Sequence, residues 1–196
     1  NFSKTKFKDI DVFELWNKFD SVSVGASLDA EGPRAELMRK GTKWEETIAN
    51  RKRMMEVCPQ VDFYISSTVG LTNSLHVCDF HKSWVEQGLI KPQDFNFNLL
   101  QHPIWQRMDI LPPEHKQRVK ERYEEHFVWL KNQDPLTRAT KGFESALDWM
   151  FKTDNQKHLE LFFANTKRYD EIRNENTIEV FPEWKELFDK YDKNKT

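Results

Sequence analysis

Three short polar segments stand where an apolar run gives way to a loop: Ser27-Leu28-Asp29, Ser67-Thr68 through Asn73, and Gln101-His102. Side chains at such points can hold a ligand, because parallel α/β proteins bind ligands beyond the carboxyl ends of their strands. On residue type alone each segment is equally an ordinary polar loop, and Ser27 with Asp29 equally a turn closed by Asx hydrogen bonds. Arg39 offers a planar, bidentate donor suited to a carboxylate. It is also well placed to be a helix-end cation facing exposed carbonyls. A fourth segment, His76-Val77-Cys78-Asp79-Phe80-His81, carries four potential metal ligands. On a helix His76 shares a face with Asp79, and Cys78 with His81, which splits the set. It reads as a solvated helix face with one buried cysteine rather than a zinc site, and a zinc-binding adaptor is the weakest of three functional readings.

The first half of the chain alternates two periodicities. Ser21–Ala26, Val61–Val69 and Phe95–Leu100 are rich in β-branched or aromatic residues, and all three are predicted strands. Between them lie helical patterns: 11–19, then a helix running from the capping-box sequence Thr42-Lys43-Trp44-Glu45 to about Met55, then Leu75–Gln87 with Gly88 as its stop. Strands separated by helical crossovers imply parallel neighbours. Beyond Pro112-Pro113 the pattern becomes helical: 114–130, about 138–152, 156–163, 165–173, and a short helix after Phe181-Pro182, with a lysine-rich end expected to fray. Trp129, Phe143, Trp149, Phe151, Phe162 and Phe163 recur at helical spacing and read as core. The organisation expected is a three-stranded α/β part over 1–112 and a helical extension over 113–196. Three parallel strands fit part of a larger barrel or sheet better than a complete fold.

Composition narrows the function classes. The 30 basic and 32 acidic side chains leave a net charge of −2, which gives no electrostatic case for nucleic acid or anionic membrane. No run approaches the roughly 18 apolar residues of a transmembrane helix. Two cysteines, Cys58 and Cys78, exclude a disulfide scaffold, and free thiols point to a reducing cytoplasm. The chain begins with Asn1 rather than Met and is expected to be part of a longer reading frame.

Ser27-Leu28-Asp29-Ala30-Glu31-Gly32, followed by Arg39-Lys40-Gly41-Thr42-Lys43-Trp44, resembles the radical SAM superfamily, in the branch of anaerobic sulfatase maturases and peptide-modifying enzymes with twitch or SPASM domains. Val61–Asn73 resembles the next strand of that family and its Asn-bearing loop. Phe95–Pro103 resembles its sixth strand, and Ile110–Lys116 the segment leading into the following helix. The resemblance covers about residues 20–130. It implies the C-terminal half of a partial (β/α)6 barrel that binds S-adenosylmethionine. Ser27 and Asp29 would lie near the methionine or ribose portion, Arg39 near its carboxylate, Asn73 in the loop framing the cofactor, and Gln101 at the adenine. The complete enzyme would cleave S-adenosylmethionine reductively, with electrons from an external donor, and abstract hydrogen from a peptide or protein.

Two departures stand out. Ala30 replaces the usual Gly of the first turn, and the Cys-x3-Cys-x2-Cys motif that ligates a 4Fe–4S cluster is absent. The resemblance places that motif upstream of Asn1, so this chain alone is expected to be inactive. The tail contains no cysteine, so an auxiliary cluster of the twitch type is not expected in it. The alternative reading is a cluster-less binding module built on the same barrel.

Overall fold

The computed structural model describes residues 2–193. Asn1 and the last of the lysine-rich end expected to fray lie outside the described residues. A two-stranded antiparallel ribbon, β1 (Lys6–Phe7) and β2 (Ile10–Asp11), opens the chain. The next elements are α1 (Val12–Trp16), β3 (Ser23–Ala26), α2 (Gly32–Met38), α3 (Trp44–Val57), β4 (Asp62–Val69), α4 (Val77–Glu86) and β5 (Phe95–Leu99). A helical half follows: α5 (Pro113–Leu130), α6 (Arg138–Lys152), α7 (Leu159–Arg173), α8 (Thr177–Val180) and α9 (Lys185–Lys193). No helix among the described residues is long and apolar enough to cross a membrane.

The sheet is α/β and parallel, as the alternation of periods implies. Its order is β3-β4-β5, with Val24 beside Phe63, Ile65 beside both Ala26 and Phe95, and Thr68 beside Asn98. Because the order advances in one direction and such crossovers are right-handed, both crossovers cover the same face. That face carries Phe63, Ile65, Val69 and Phe95, all buried, with Trp44, Phe80 and Trp84 packed over it. The opposite face is polar: Ser23, Tyr64, Ser66, Thr68, Asn96 and Asn98 are half-buried or exposed. Asn98 Nδ2 donates to Ser66 Oγ (3.0 Å) and Ser23 Oγ to Asp62 (3.0 Å). A parallel sheet is usually covered on both faces; this one leaves a hydrogen-bonding face open.

The helical half packs directly on the sheet. Phe143 of α6 lies 4.9 Å from Phe97 and 5.0 Å from Tyr123 between ring centroids, edge-on to both. Residues of both halves form one continuous core, from Phe13 to Tyr191. Asp109, fully buried, pairs with Arg107 (2.7 Å) and accepts hydrogen bonds from Thr153 Oγ1 and Asn155 Nδ2, both 2.7 Å, tying the 103–111 segment to the end of α6.

Three local expectations are corrected. The capping box does not form: Lys43 is the cap of α3, and Glu36 accepts the Trp44 N–H at 2.8 Å in place of a Thr42 cap. The helices expected at 156–163 and 165–173 are one helix, α7, preceded by a 3-10 turn at Gln156–His158, since no residue between 159 and 173 breaks the pattern. The 76–81 segment is not a solvated face. His76, Cys78 and His81 are all buried, because α4 is covered by the sheet on one side and by α5 and the tail on the other.

Candidate functional site

β4 ends at Val69, and the residues after it build a cleft. Gly70 is required there: a Cβ would fall 2.5 Å from the Gln106 carbonyl oxygen, which also accepts the Leu71 N–H at 2.8 Å. Asn73, fully buried, holds the turn with its whole side-chain amide. Its Oδ1 accepts Gly70 N–H (2.9 Å), and its Nδ2 donates to the Asp29 and Thr68 carbonyls at 2.8 and 3.1 Å. Asp29, on the loop leaving β3, accepts the Thr68 N–H at 2.8 Å with one carboxylate oxygen. The other oxygen meets Arg39 Nε at 2.7 Å. One cluster therefore joins three of the residues selected from sequence.

The cleft of about 230 Å³ lies beyond the carboxyl ends of β4 and β5. Its sheet side is formed by Asp29, Thr68, Gly70, Thr72 and Asn73. Its outer wall is α7 and the turn after it: Thr166, Tyr169, Asp170, Arg173, Glu175 and Thr177. Asp170 is fixed by Thr177, whose N–H and Oγ1 donate to its two oxygens at 2.9 and 2.7 Å. The Arg173 guanidinium lies 5.1 Å from the Tyr169 ring centre and 4.0 Å from Glu175. Trp184 Nε1 donates to the Thr72 carbonyl at 2.8 Å and ties the tail to the same loop.

Asp29, Arg39 and Asn73 are thus brought together, and Asp29 and Asn73 line the cleft. Arg39 stands behind Asp29, outside the lining. Ser27, half-buried, and Gln101, exposed, also lie outside it; Gln106, in the 3-10 turn Ile104–Gln106 beyond β5, lines it instead. Asn73 is fully buried and both Nδ2 hydrogens are committed to backbone carbonyls, so its part is to shape the loop. The outer wall was not visible as a site in the sequence. The signal was present in Thr166, Tyr169, Asp170 and Arg173, polar positions that recur on one face of a helix.

The titratable groups of α4 are engaged away from the cleft. His81 Nδ1 and His126 Nε2 are 3.0 Å apart, and His81 Nε2 lies 2.9 Å from the Pro92 carbonyl. A carbonyl only accepts, so His81 donates to Pro92 and His126 donates to His81, with both rings neutral. Burial pushes His81 down to about 4 and His126 to about 3. Burial likewise lowers His76 to about 3, against the Phe181 ring. Asp79 pairs with Arg122, and the Cys78 thiol faces the Arg122 carbonyl at 3.8 Å.

The donor sets allow a test of the implied groups. A 4Fe–4S cluster needs thiolates. Cys58 closes α3 and Cys78 opens α4, and burial raises the pKa of both thiols. Among the described residues no group of three or more His, Cys, Asp or Glu could hold a metal, so the cluster does not fit these residues. The cleft does offer partners for an amino-acid end: a carboxylate at Asp170, a guanidinium at Arg173, and neutral hydroxyl and amide groups at Thr68, Thr72 and Gln106. No protein-family model, no curated protein and no solved structure matches the chain.

Proposed function

We propose that the chain is the C-terminal portion of a radical SAM enzyme and that its cleft holds the amino-acid end of S-adenosylmethionine. The observation that carries this reading is the junction of a polar cleft, at the carboxyl ends of β4 and β5, with a polar sheet face that no helix covers. Curling the sheet around that face would make it the lining of a partial (β/α)6 barrel, and Thr68 belongs to both surfaces. In this reading Arg173, which reaches the cleft, takes the carboxylate, and Asp170 faces the ammonium. Asp29 and Asn73 position the loop, and Arg39 holds Asp29 in place. The whole enzyme would cleave S-adenosylmethionine reductively and abstract hydrogen from a peptide or protein, with electrons from an external donor; these residues supply no ligands for the cluster that such a step would need.

Calorimetric titration with S-adenosylhomocysteine tests the cleft. Arg173→Gln, at an exposed helix end, is expected to weaken binding about 10- to 100-fold through the lost charge-assisted hydrogen bonds, with an unchanged melting curve. Equal affinity of wild type and variant would contradict the assignment of Arg173, and no binding to wild type at millimolar ligand would contradict the cofactor. A cluster-less binding module is the second reading. The continuous core that unites both halves favours it, since such a chain can fold as one unit.

A further inference from the structure

Four charged side chains line the cleft: Asp29, Asp170, Arg173 and Glu175. Two of the carboxylates are paired with cations that stand outside the lining, Asp29 with Arg39 at 2.7 Å and Glu175 with Lys40. Asp170 is held instead by the neutral N–H and hydroxyl of Thr177. Arg173 keeps only a 4.0 Å contact with Glu175, the outer limit of an ion pair. One carboxylate and one guanidinium are therefore left to meet a ligand, three residues apart on the same face of α7. A neutral zwitterion satisfies both, whereas a ligand with net charge leaves one of them uncompensated.

Away from that pair of charges the lining is uncharged. Phe162, Thr166 and Asp170 follow one another at four-residue steps along α7, and all three line the cleft. Phe162 thus lies two turns before Asp170, a distance of about 12 Å along the helix. Leu37, Met38 and Leu100 add further apolar surface. The cleft volume of about 230 Å³ falls below the roughly 300–1,000 Å³ of sites for drug-sized ligands, so an amino acid fits inside it and a nucleoside joined to that amino acid lies outside. We propose that the cleft is a complete site for a free α-amino acid with an uncharged side chain of methionine length, and that it binds this ligand without a nucleoside. The head group sits between Asp170 and Arg173, and the side chain runs along α7 past Thr166 toward Phe162. The roles of Asp170 and Arg173 rest on the S-adenosyl reading; the choice of side chain rests on the uncharged lining between Asp170 and Phe162.

Calorimetric titration of the chain with methionine, norleucine, 2-aminobutyrate, lysine and S-adenosylhomocysteine tests it. Each buried methylene is worth about 4-fold in affinity, so methionine and norleucine should bind about 10- to 20-fold more tightly than 2-aminobutyrate, which is two heavy atoms shorter. Lysine, of similar length but charged at its end, should bind about 100-fold more weakly than norleucine. Thr166→Leu, which fills the path of the side chain, should weaken methionine about 5- to 50-fold and leave 2-aminobutyrate unchanged. Norleucine bound no more tightly than 2-aminobutyrate or lysine would overturn the inference, as would equal weakening of both ligands by Thr166→Leu. Binding of S-adenosylhomocysteine with no binding of methionine would overturn it and leave the S-adenosyl reading standing. Binding of methionine with no binding of S-adenosylhomocysteine would support it and remove the S-adenosyl reading. If neither binds, both fall.

Discussion

Asn73 uses every hydrogen-bonding group of its side-chain amide inside the protein. Asn73→Ala would remove the hydrogen bonds to the Gly70 N–H and to the Asp29 and Thr68 carbonyls. We expect it to lower stability by about 2–4 kcal/mol in chemical denaturation, against the smaller cost of losing one exposed hydrogen bond. The buried histidines set the response to pH. His76, His81 and His126 have folded-state values depressed to about 3, 4 and 3, so the unfolded chain binds their protons first. Their contribution is intact above about pH 6.5 and is lost as pH falls toward 4. At pH 5 each should cost on the order of 2 kcal/mol relative to pH 7, visible as a falling Tm that His126→Gln partly flattens. At this scale the sequence was informative where chemistry followed strand ends: Asp29, Arg39 and Asn73 do converge. Arg173 and Asp170 could not be read that way, because they reach the cleft from a helix about 100 residues along the chain from β4.

Gly142 separates helix propensity from packing. In an isolated helix Gly→Ala stabilises by up to about 1 kcal/mol. In α6 an added Cβ would stand 2.7 Å from Phe97 Cβ on β5, and neither the strand nor the helix can move without disturbing the Phe143 cluster. Gly142→Ala is therefore expected to destabilise by about 1–3 kcal/mol; a raised Tm would show that α6 is not seated on β5 as described. The strands were legible because Phe95-Asn96-Phe97-Asn98 alternates and Val61–Val69 is β-rich, so both faces of the sheet could be read from type. α2 was not among the elements expected, although Pro33 near its start is a residue that opens helices. The failed capping box has the same origin. Thr42 and Glu45 had the right spacing, but Glu36 comes from the preceding turn of structure and takes the Trp44 N–H instead.

For the whole molecule, the tail braces the site from behind the Thr72 loop. Trp184 is buried, donates to the Thr72 carbonyl, and stands beside Glu183, which pairs with Arg34 of α2 at 3.0 Å. Trp184→Ala should cost about 3–5 kcal/mol and weaken ligand binding at the cleft together with stability. Loss of binding with unchanged stability would place Trp184 in direct contact with ligand. The change of periodicity near Pro112 coincides with the passage from the last strand, β5, to helices. What composition could not convey is that α6 packs on β5 and α7 walls the cleft, since both depend on contacts between distant segments. The central claim is that this chain belongs to an enzyme that cleaves S-adenosylmethionine. Its most direct test uses the product of the whole reading frame, reconstituted anaerobically with iron and sulfide and given S-adenosylmethionine and a low-potential reductant. The account predicts release of 5′-deoxyadenosine, reduced when Arg173 is replaced by Gln. A cluster-free product, or no 5′-deoxyadenosine from a loaded one, would contradict it.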